Sequence, residues 1–496
     1  MKQVVTAAGM REYEGRLINE YGVDSLLLME RAALALAEEA LKSIGGKKRA
    51  LVVCGGGNNG GDGLAAARFL AESDVALTVL IAGDMAKASD ACRKQVDIAE
   101  KMGIRISTDT KLLEEDYELC IDACLGTGLS REVTGNYAEA VKGMNALKAR
   151  GCRIISADIP SGLSSDEGIG LGDTVYADKT VCFGAVKQGM LINKGREYCG
   201  ELKIRPIGVL KELPGDSFLL EASDLKDFIP KRKRLGHKGT FGKILFITGS
   251  PDMPGAAILS AKAALSCGAG MVKVFGPLEN RPVCITAVPE AMYRAADISD
   301  AKTLREELDW CDAVVAGCGL GKERAAGLLK SEAFRSFEGP VVLDADCLNA
   351  LSDDKSYLEY RKKPGLFTVL TPHPAEYSRL FGTEGKLQSP EEVRSFAAEY
   401  GAVIAAKSAT TIVSDGQKLW FNTCGNDGMA TAGSGDVLAG IMGALLTVSE
   451  DKSRAAAGAV LLHACGGDKA AERLGRHGVT AAEIIKGAAQ CLKETE

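Results

Sequence analysis

An excess of basic charge is missing from this 496-residue chain: 60 basic side chains face 66 acidic ones, for a net charge of −6. No electrostatic footprint for nucleic acid or an anionic membrane is therefore expected. Long apolar runs are missing too, since Gly, Asp or Lys interrupts every candidate before it reaches membrane-spanning length. The first eleven residues lack the apolar core of a signal peptide. C-x-x-C pairs are absent among the 15 cysteines. Most of these cysteines, such as Cys120, Cys182, Cys267 and Cys311, sit in apolar runs, which points to buried reduced thiols rather than disulfides or metal ligands. The expectation is a soluble cytoplasmic protein. Aromatic residues make up only 5% of the chain, whereas glycine contributes 58 positions. That balance suits an α/β protein with many tight strand-to-helix turns.

The length is too great for one core, so two or three domains are expected. Residues 6–43 carry helical periodicity, with Leu26, Leu27, Leu28, Ala32, Leu36 and Ala40 forming apolar stripes. Strand-like runs then follow at 50–54, 76–82, 119–123, 153–157 and 180–183, alternating with helical stretches near 64–72, 88–102 and 136–150. This is a β-α-β series, hence a doubly wound, Rossmann-like parallel sheet. A charged, proline-containing stretch, roughly 211–238, reads as a solvated linker, its basic run Lys231–Arg234 included. A second α/β series begins at Gly242, with strands at 243–248, 272–275, 313–316, 341–343, 366–370 and 402–406. A hairpin at 411–413 and 418–421 is predicted to turn on Asp415-Gly416. Helices are expected near 436–447, 453–473 and 480–493. The division is 1–212, a linker and entry segment at 213–240, and 241–496.

Two glycine clusters carry the chemistry. The first follows the strand Ala50–Cys54 and reads Gly55-Gly56-Gly57-Asn58-Asn59-Gly60-Gly61-Asp62-Gly63 before a predicted helix at Leu64. Gly55, Gly57 and Gly60 satisfy the dinucleotide spacing G-x-G-x-x-G, and Asp84, at the end of the next strand, sits near the expected ribose acid. Two asparagines and a carboxylate do not belong to that fingerprint, because Asp62 would repel a pyrophosphate. The second cluster runs from Gly425 to Asp436. Gly433-Ser434-Gly435-Asp436 would set free amides around one carboxylate at a helix start, which suits phosphoryl transfer with Asp436 accepting a proton. The plain alternative is an N-capping aspartate after a flexible loop.

The run Gly428–Gly440, together with His237–Lys243, Pro254–Ala257, Asp344-Ala345-Asp346, Leu348-Asn349 and Thr371–Glu376, resembles the ribokinase-like dehydratase domain of NAD(P)H-hydrate repair enzymes. Asn58–Gly63, with Gly126–Leu129 and Asp158–Gly162, is similar to the epimerase domain of the same pathway, and nearly the whole chain resembles the bifunctional fusion. Such enzymes repair reduced nicotinamide cofactor that has gained water across its ring. The resemblance implies that the N-terminal half interconverts the two hydrate epimers and the C-terminal half dehydrates one at the expense of ADP or ATP.

Carried over residue by residue, the resemblance places Asn58, Asn59, Gly60, Gly61, Asp62, Gly126, Thr127, Gly128, Leu129, Ser130, Arg131, Glu132 and Asp158 at the epimerase substrate site. It places Asn59, Asp122 and Ser161 at a potassium site, and oxygen donors of these types suit a hard cation. A cation beside Asp62 would also relieve the repulsion noted above. In the second half Ala256, Gly319, His373 and Asp436 match hydrate-contacting positions, and Lys407, Ser408, Ala409, Thr410, Thr411 and Gly435 match the nucleotide site, with magnesium expected on the nucleotide. Asp436 would be the dehydratase base. Lys187 with Asp158 is the candidate pair for epimerase proton traffic.

Plain readings stand beside these: Asp122 as a turn cap, His373 as a rigid-loop histidine between two prolines, Lys407 as a surface lysine. Strand C-terminal ends line α/β sites, which favours function for Asp122 and Lys407. Two positions depart from the family pattern, Cys318 and Val186, where proline is expected; neither removes a chemical group. A small-molecule kinase fused to an unrelated binding domain would explain Gly433–Asp436 but leave Asn58–Asp62 idle. A nucleotide-sensing or protein-interaction role for the N-terminal half is a non-enzymatic alternative, which fusion to a complete dehydratase-like half disfavours. Small-molecule substrates and a homo-oligomer are expected, with no nucleic-acid or membrane partner.

Overall fold

A computed structural model describes residues 1–45, 49–208, 215–383 and 389–496. The chain divides into two compact units, Lys2–Gly215 and Asp216–Glu496. The expected border at 212 lies outside the described residues.

The first unit is built on a seven-stranded, wholly parallel sheet. Its spatial order is Arg105–Ser107, Ala76–Ile81, Arg49–Cys54, Leu119–Ala123, Arg153–Ala157, Lys179–Phe183 and Glu201–Arg205. Arg49–Cys54 shows why the sheet is covered twice. Val52 and Cys54 join an apolar cluster with helices Ser25–Ser43 and Asn58–Ala71, while Leu51 and Val53 join another that includes Val141 and Met144 of helix Gly135–Ala149. Alternating side chains that are apolar on both faces demand exactly such a two-sided cover. After Arg49–Cys54 the chain winds to one side, and from Leu119–Ala123 it winds to the other, which opens a crevice at the carboxyl ends of these two strands.

The helix after the first glycine cluster begins at Asn58, not Leu64. Asn58 to Gly63 are its first turns, not a loop. None of these glycines adopts positive φ. Close packing explains them: a Cβ on Gly60 would stand 1.9 Å from the Gly55 carbonyl oxygen, and one on Gly63 would stand 2.5 Å from the Ala123 methyl. The 6–43 helical stretch is two helices, Ala7–Asn19 and Ser25–Ser43, separated by a turn with Gly22 at φ +69° and capped anew by Asp24.

The second unit holds a ten-stranded run ordered Met292–Ala295, Met271–Gly276, Lys243–Ile247, Ala313–Ala316, Val341–Leu343, Thr368–Leu370, Val403–Ala406, Thr411–Ser414, Leu419–Asn422 and Ser217–Leu220. It is parallel up to Val403–Ala406 and continues into an antiparallel hairpin. The last hairpin pair is Ser414 with Leu419, so the connection is a four-residue loop, not a two-residue turn. Asp415 accepts there from the Gln417 and Lys418 amides. Helices Pro254–Ser266, Ser434–Val448, Lys452–Leu474 and Ala481–Thr495 pack on the sheet through one apolar cluster.

Part of the stretch read as a linker is ordered structure. Ser217–Leu220 pairs in parallel with Leu419–Asn422, and Leu225 and Phe228 bury themselves in the cluster, because five large apolar side chains in twelve residues find a sheet edge to cover. Lys231–Arg234 remains exposed coil.

Candidate functional sites

In the first unit a cavity of about 530 Å³ opens at the crevice. Gly57, Asn58, Asn59 and Asp62 line it from the helix start, Gly126 to Arg131 from the loop after Leu119–Ala123, and Asp158 from the end of Arg153–Ala157. Helix Ala7–Asn19 adds Arg11 and Glu14, two wall residues that sequence spacing did not suggest. Gly60, Gly61 and Glu132 are off the wall.

Beneath the wall lies a buried oxygen cluster. Asp122 is fully buried; Ser156 Oγ and the Ser161 amide donate to its Oδ2 at 2.8 Å each, and Ser161 Oγ donates to Oδ1 at 2.5 Å. Asn59 Nδ2 donates to the Leu125 carbonyl at 3.2 Å, and the Leu125 amide donates to Ser161 Oγ at 2.9 Å. Asn59, Asp122 and Ser161 thus converge on one turn. Burial pushes the Asp122 carboxyl above the ordinary carboxylate range, against the pull of these hydrogen bonds. The Asp122 carboxyl, Ser161 Oγ and the Leu125 carbonyl gather oxygen atoms of the kind that suit a hard monovalent cation.

Lys187, fully buried, donates to Asp158 Oδ1 and, at 3.0 Å, to the Phe183 carbonyl, and the Phe183 amide donates to the same Asp158 oxygen at 3.0 Å. Burial pulls the Lys187 ammonium down, but the Asp158 charge outweighs it and holds the lysine protonated. Asp158 sits at φ +64°, a strained conformation for a non-glycine residue. Burial, then the nearby Asp158 and Glu14 charges, push the Asp62 carboxyl well upward. The cation that offsets this is the Lys187 ammonium. Glu14 is raised by burial and then by the Asp158 charge. One cavity therefore holds carboxyls that favour their protons and a carboxylate locked to an ammonium, the separation that acid–base chemistry needs.

In the second unit, successive strand ends deliver the polar groups. Cys318, Asp344, Thr371 and Lys407 follow Ala313–Ala316, Val341–Leu343, Thr368–Leu370 and Val403–Ala406. Lys407 Nζ donates to Asp344 Oδ1 at 2.9 Å, and Thr371 Oγ1 donates to the same oxygen at 2.8 Å. Burial alone would raise Asp344, but the Lys407 charge holds it below the ordinary range. Ala345, next in sequence, is strained at φ +48°.

The helix Ser434–Val448 starts over this pair. Gly433 caps it at φ +85°, and a Cβ on Gly435 would lie 3.4 Å from Asp344 Oδ2 and 3.5 Å from Lys407 Nζ. Asp436 stands in the first turn, its carboxyl pushed up to about 6 by burial and then by the Asp344 charge. Ser434 Oγ lies 3.3 Å from Nε2 of His463, whose imidazole burial pulls down to about 4 and so keeps neutral. Asp344 and His463 were not assigned from sequence, although Asp344 satisfies the same strand-end rule as Lys407.

The remaining assignments scatter around this centre. Gly319, at φ +60°, faces Ala256: an added Cβ would stand 2.9 Å from the alanine methyl. His373 caps helix Pro374–Phe381, its Nδ1 accepting from the Ala375 amide at 3.2 Å while Glu376 accepts from the His373 amide at 2.8 Å. Its plain structural role is thus filled, and the imidazole is still nearly half exposed. Ser408 and Ala409 are exposed beyond Lys407, Thr410 is buried, and Ser408 Oγ donates to the Thr410 carbonyl at 2.5 Å.

Comparison with known proteins decides the family. The bifunctional NAD(P)H-hydrate repair enzyme of Moorella thermoacetica is 33% identical over 97% of this chain and 95% of its own. The corresponding enzyme of Coxiella burnetii is 35% identical over 96% of each chain. This chain belongs to the bifunctional NAD(P)H-hydrate repair enzymes. The family model for NAD(P)H-hydrate dehydratase matches residues 244–489, and that for the YjeF-related protein N-terminus matches 25–189. Among solved structures, a ribokinase-like superfamily protein from Enterococcus faecalis V583 is 28% identical with a TM-score of 0.52, covering 58% of this chain and 99% of that one. The repair-enzyme chain is thus a Rossmann-like unit followed by a ribokinase-like one. Among its described residues no helix is long and apolar enough to cross a membrane.

Proposed function

We propose that this chain epimerises the hydrates of NADH and NADPH in its first unit and dehydrates the S epimer in its second, with ADP or ATP as phosphoryl donor. The observation that carries the reading is the convergence of Asp436, the glycine-capped helix start and the Asp344–Lys407 pair.

In the second unit Asp436 takes the proton of the ring hydroxyl. The hydroxyl oxygen attacks the terminal phosphorus, the bond from phosphorus to the nucleotide breaks, and the amides at Gly433 to Gly435 meet the charge that develops. The ring C–O bond then breaks as phosphate leaves, a proton departs from the adjacent ring carbon, and the dihydropyridine is restored. Lys407 fixes Asp344 under this floor and offers its charge to the nucleotide phosphates, with Ser408 to Thr411 beside it. Ala256, Gly319 and His373 border the hydrate. Magnesium travels on the nucleotide phosphates. The cluster Cys318–Asp344–Asp436 does not suit a resident divalent cation, because Lys407 already neutralises Asp344 and burial keeps the thiol protonated.

In the first unit ring opening and reclosure invert the hydroxyl-bearing carbon. Asp158, locked by Lys187, accepts a proton, and a protonated Asp62 or Glu14 returns one. Potassium held by Asn59, Asp122 and Ser161 would steady the Gly126–Glu132 loop through Leu125.

The test supplies an epimer mixture of NADH hydrate with ADP or ATP and follows the return of reduced-nicotinamide absorbance. Full return supports both activities. Return that stops with one epimer untouched, beyond its slow spontaneous conversion, removes the epimerase. No return leaves a plain kinase as the better reading.

A further inference from the structure

Cys318 stands where the family pattern leads one to expect proline, and its side chain reaches the centre of the second site. Its Sγ is fully buried and lies 3.7 Å from Asp344 Oδ2. Ligand-type atoms of Cys318, Asp344 and Asp436 all lie within 4.8 Å of one another. The backbone holds the thiol firmly. Gly317 and Gly319 flank it at φ +112° and +60°, the Gly249 amide donates to the Cys318 carbonyl at 2.8 Å, and the Asp346 amide donates to the Gly317 carbonyl at 3.3 Å. A Cβ on Gly317 would stand 2.0 Å from the Asp344 carbonyl oxygen, so this loop cannot be displaced from the strand end without disturbing Asp344.

We propose that Cys318 is a positioning residue of the dehydratase: its thiol donates to Asp344 Oδ2 beside Asp436, tempers the negative charge that Asp436 meets there, and so keeps Asp436 available as an ionised base. The proposal rests on the reading of Asp436 as that base. Burial and the two carboxylates keep the sulfur as a thiol, so it is a donor and neither a nucleophile nor a metal ligand. The other charged groups around Asp436 are Asp344 and Lys407; beyond Lys407 stand Glu376 and His373, and His463 faces Ser434. Lys407 and Thr371 already occupy Asp344 Oδ1, which leaves Oδ2 to the thiol. A donor that offsets the Asp344 charge eases the ionisation of Asp436, so its loss must raise the pH at which the base becomes available.

The experiment measures dehydratase kcat/KM against pH for the full chain and its C318S, C318A and C318V variants, with D436N as reference. Tryptophan emission confirms that each variant is folded. C318S keeps an O–H donor and should keep the acid limb of the wild type. C318A and C318V should move that limb up by about half to one pH unit, the worth of one weak hydrogen bond to a charged acceptor. A parallel loss at every pH with an unmoved limb would reduce Cys318 to a packing residue and overturn the proposal. If C318A does not fold, C318V, which fills the space without a donor, decides alone. An active D436N overturns the reading of the base and this proposal with it. An inactive D436N with unmoved limbs overturns only the role of Cys318.

Discussion

Replacing Asp436 by asparagine should abolish dehydration and make the second unit more stable. Burial and the Asp344 charge push this carboxyl from an ordinary 3.8 up to about 6. Each pH unit of difference between folded and unfolded protein is worth about 1.4 kcal/mol, so folding with the group ionised at neutral pH costs at most ~3 kcal/mol. Solvent reaching the partly exposed carboxyl trims that to ~1–2 kcal/mol. The sign follows from the raised value: stability is fully present below the unfolded value, near 4, and is lost as pH rises through about 6. Asparagine keeps the shape without the charge, so its gain should be present at about pH 7.5 and vanish at about pH 4. Trp310 and Trp420 are the two tryptophans of the chain, and both lie in Asp216–Glu496, so thermal unfolding followed by tryptophan emission reports this unit alone. The midpoint should rise by roughly 3–6 °C at about pH 7.5, while epimerisation persists. A variant less stable than wild type at neutral pH, or a gain undiminished at about pH 4, would refute the argument that Asp436 is held ionised against its surroundings.

Lys187→Met should strand Asp158 without its buried partner. It should cost the first unit about 3–5 kcal/mol by circular dichroism and end epimerisation while the S epimer is still dehydrated. Gly60→Ala should destabilise the same unit by about 2–4 kcal/mol, since its methyl has nowhere to go, whereas Gly57→Ala, with nothing within 4 Å, should change stability by about 1 kcal/mol or less. Exchanging potassium for tetramethylammonium at constant ionic strength should slow epimerisation but not dehydration. Asp122→Asn should erase the difference between the two salts.

Most of the architecture is legible in the sequence because parallel strands buried on both faces read as short apolar runs. Their carboxyl ends then point to Asp122, Asp158 and Lys407. The same rule identifies Asp344, quoted within a motif but left without a role, because nothing in linear order says that Lys407 and Thr371 close on it. Glu14 is illegible for another reason: an acidic residue on an amphipathic helix is ordinarily a solvated one, and only the fold turns that face toward the cavity. Glycines at 60, 61 and 63 hide the helix that starts at Asn58, since intrinsic propensity votes against them and close contact with the Gly55 main chain, with Met29 and with the sheet overrules it. Short edge strands escape too. Met292–Ala295 is only partly buried along its length and gives too weak an alternation to read.

The packing of Gly55, Gly60 and Gly63 against main chain and sheet also sets how this pocket can change. No side chain can be added at these positions, so the turn that carries Asn58, Asn59 and Asp62 to the cavity cannot be shifted by a substitution there. Variation falls instead to residues that line the cavity, such as Asn58, Asn59 and Asp62 on this helix, Arg11 and Glu14 on helix Ala7–Asn19, and the rim from Gly126 to Arg131. A library aimed at discriminating the phosphorylated from the unphosphorylated cofactor hydrate belongs on that rim, where Arg131 is already exposed and a change of charge leaves the scaffold untouched.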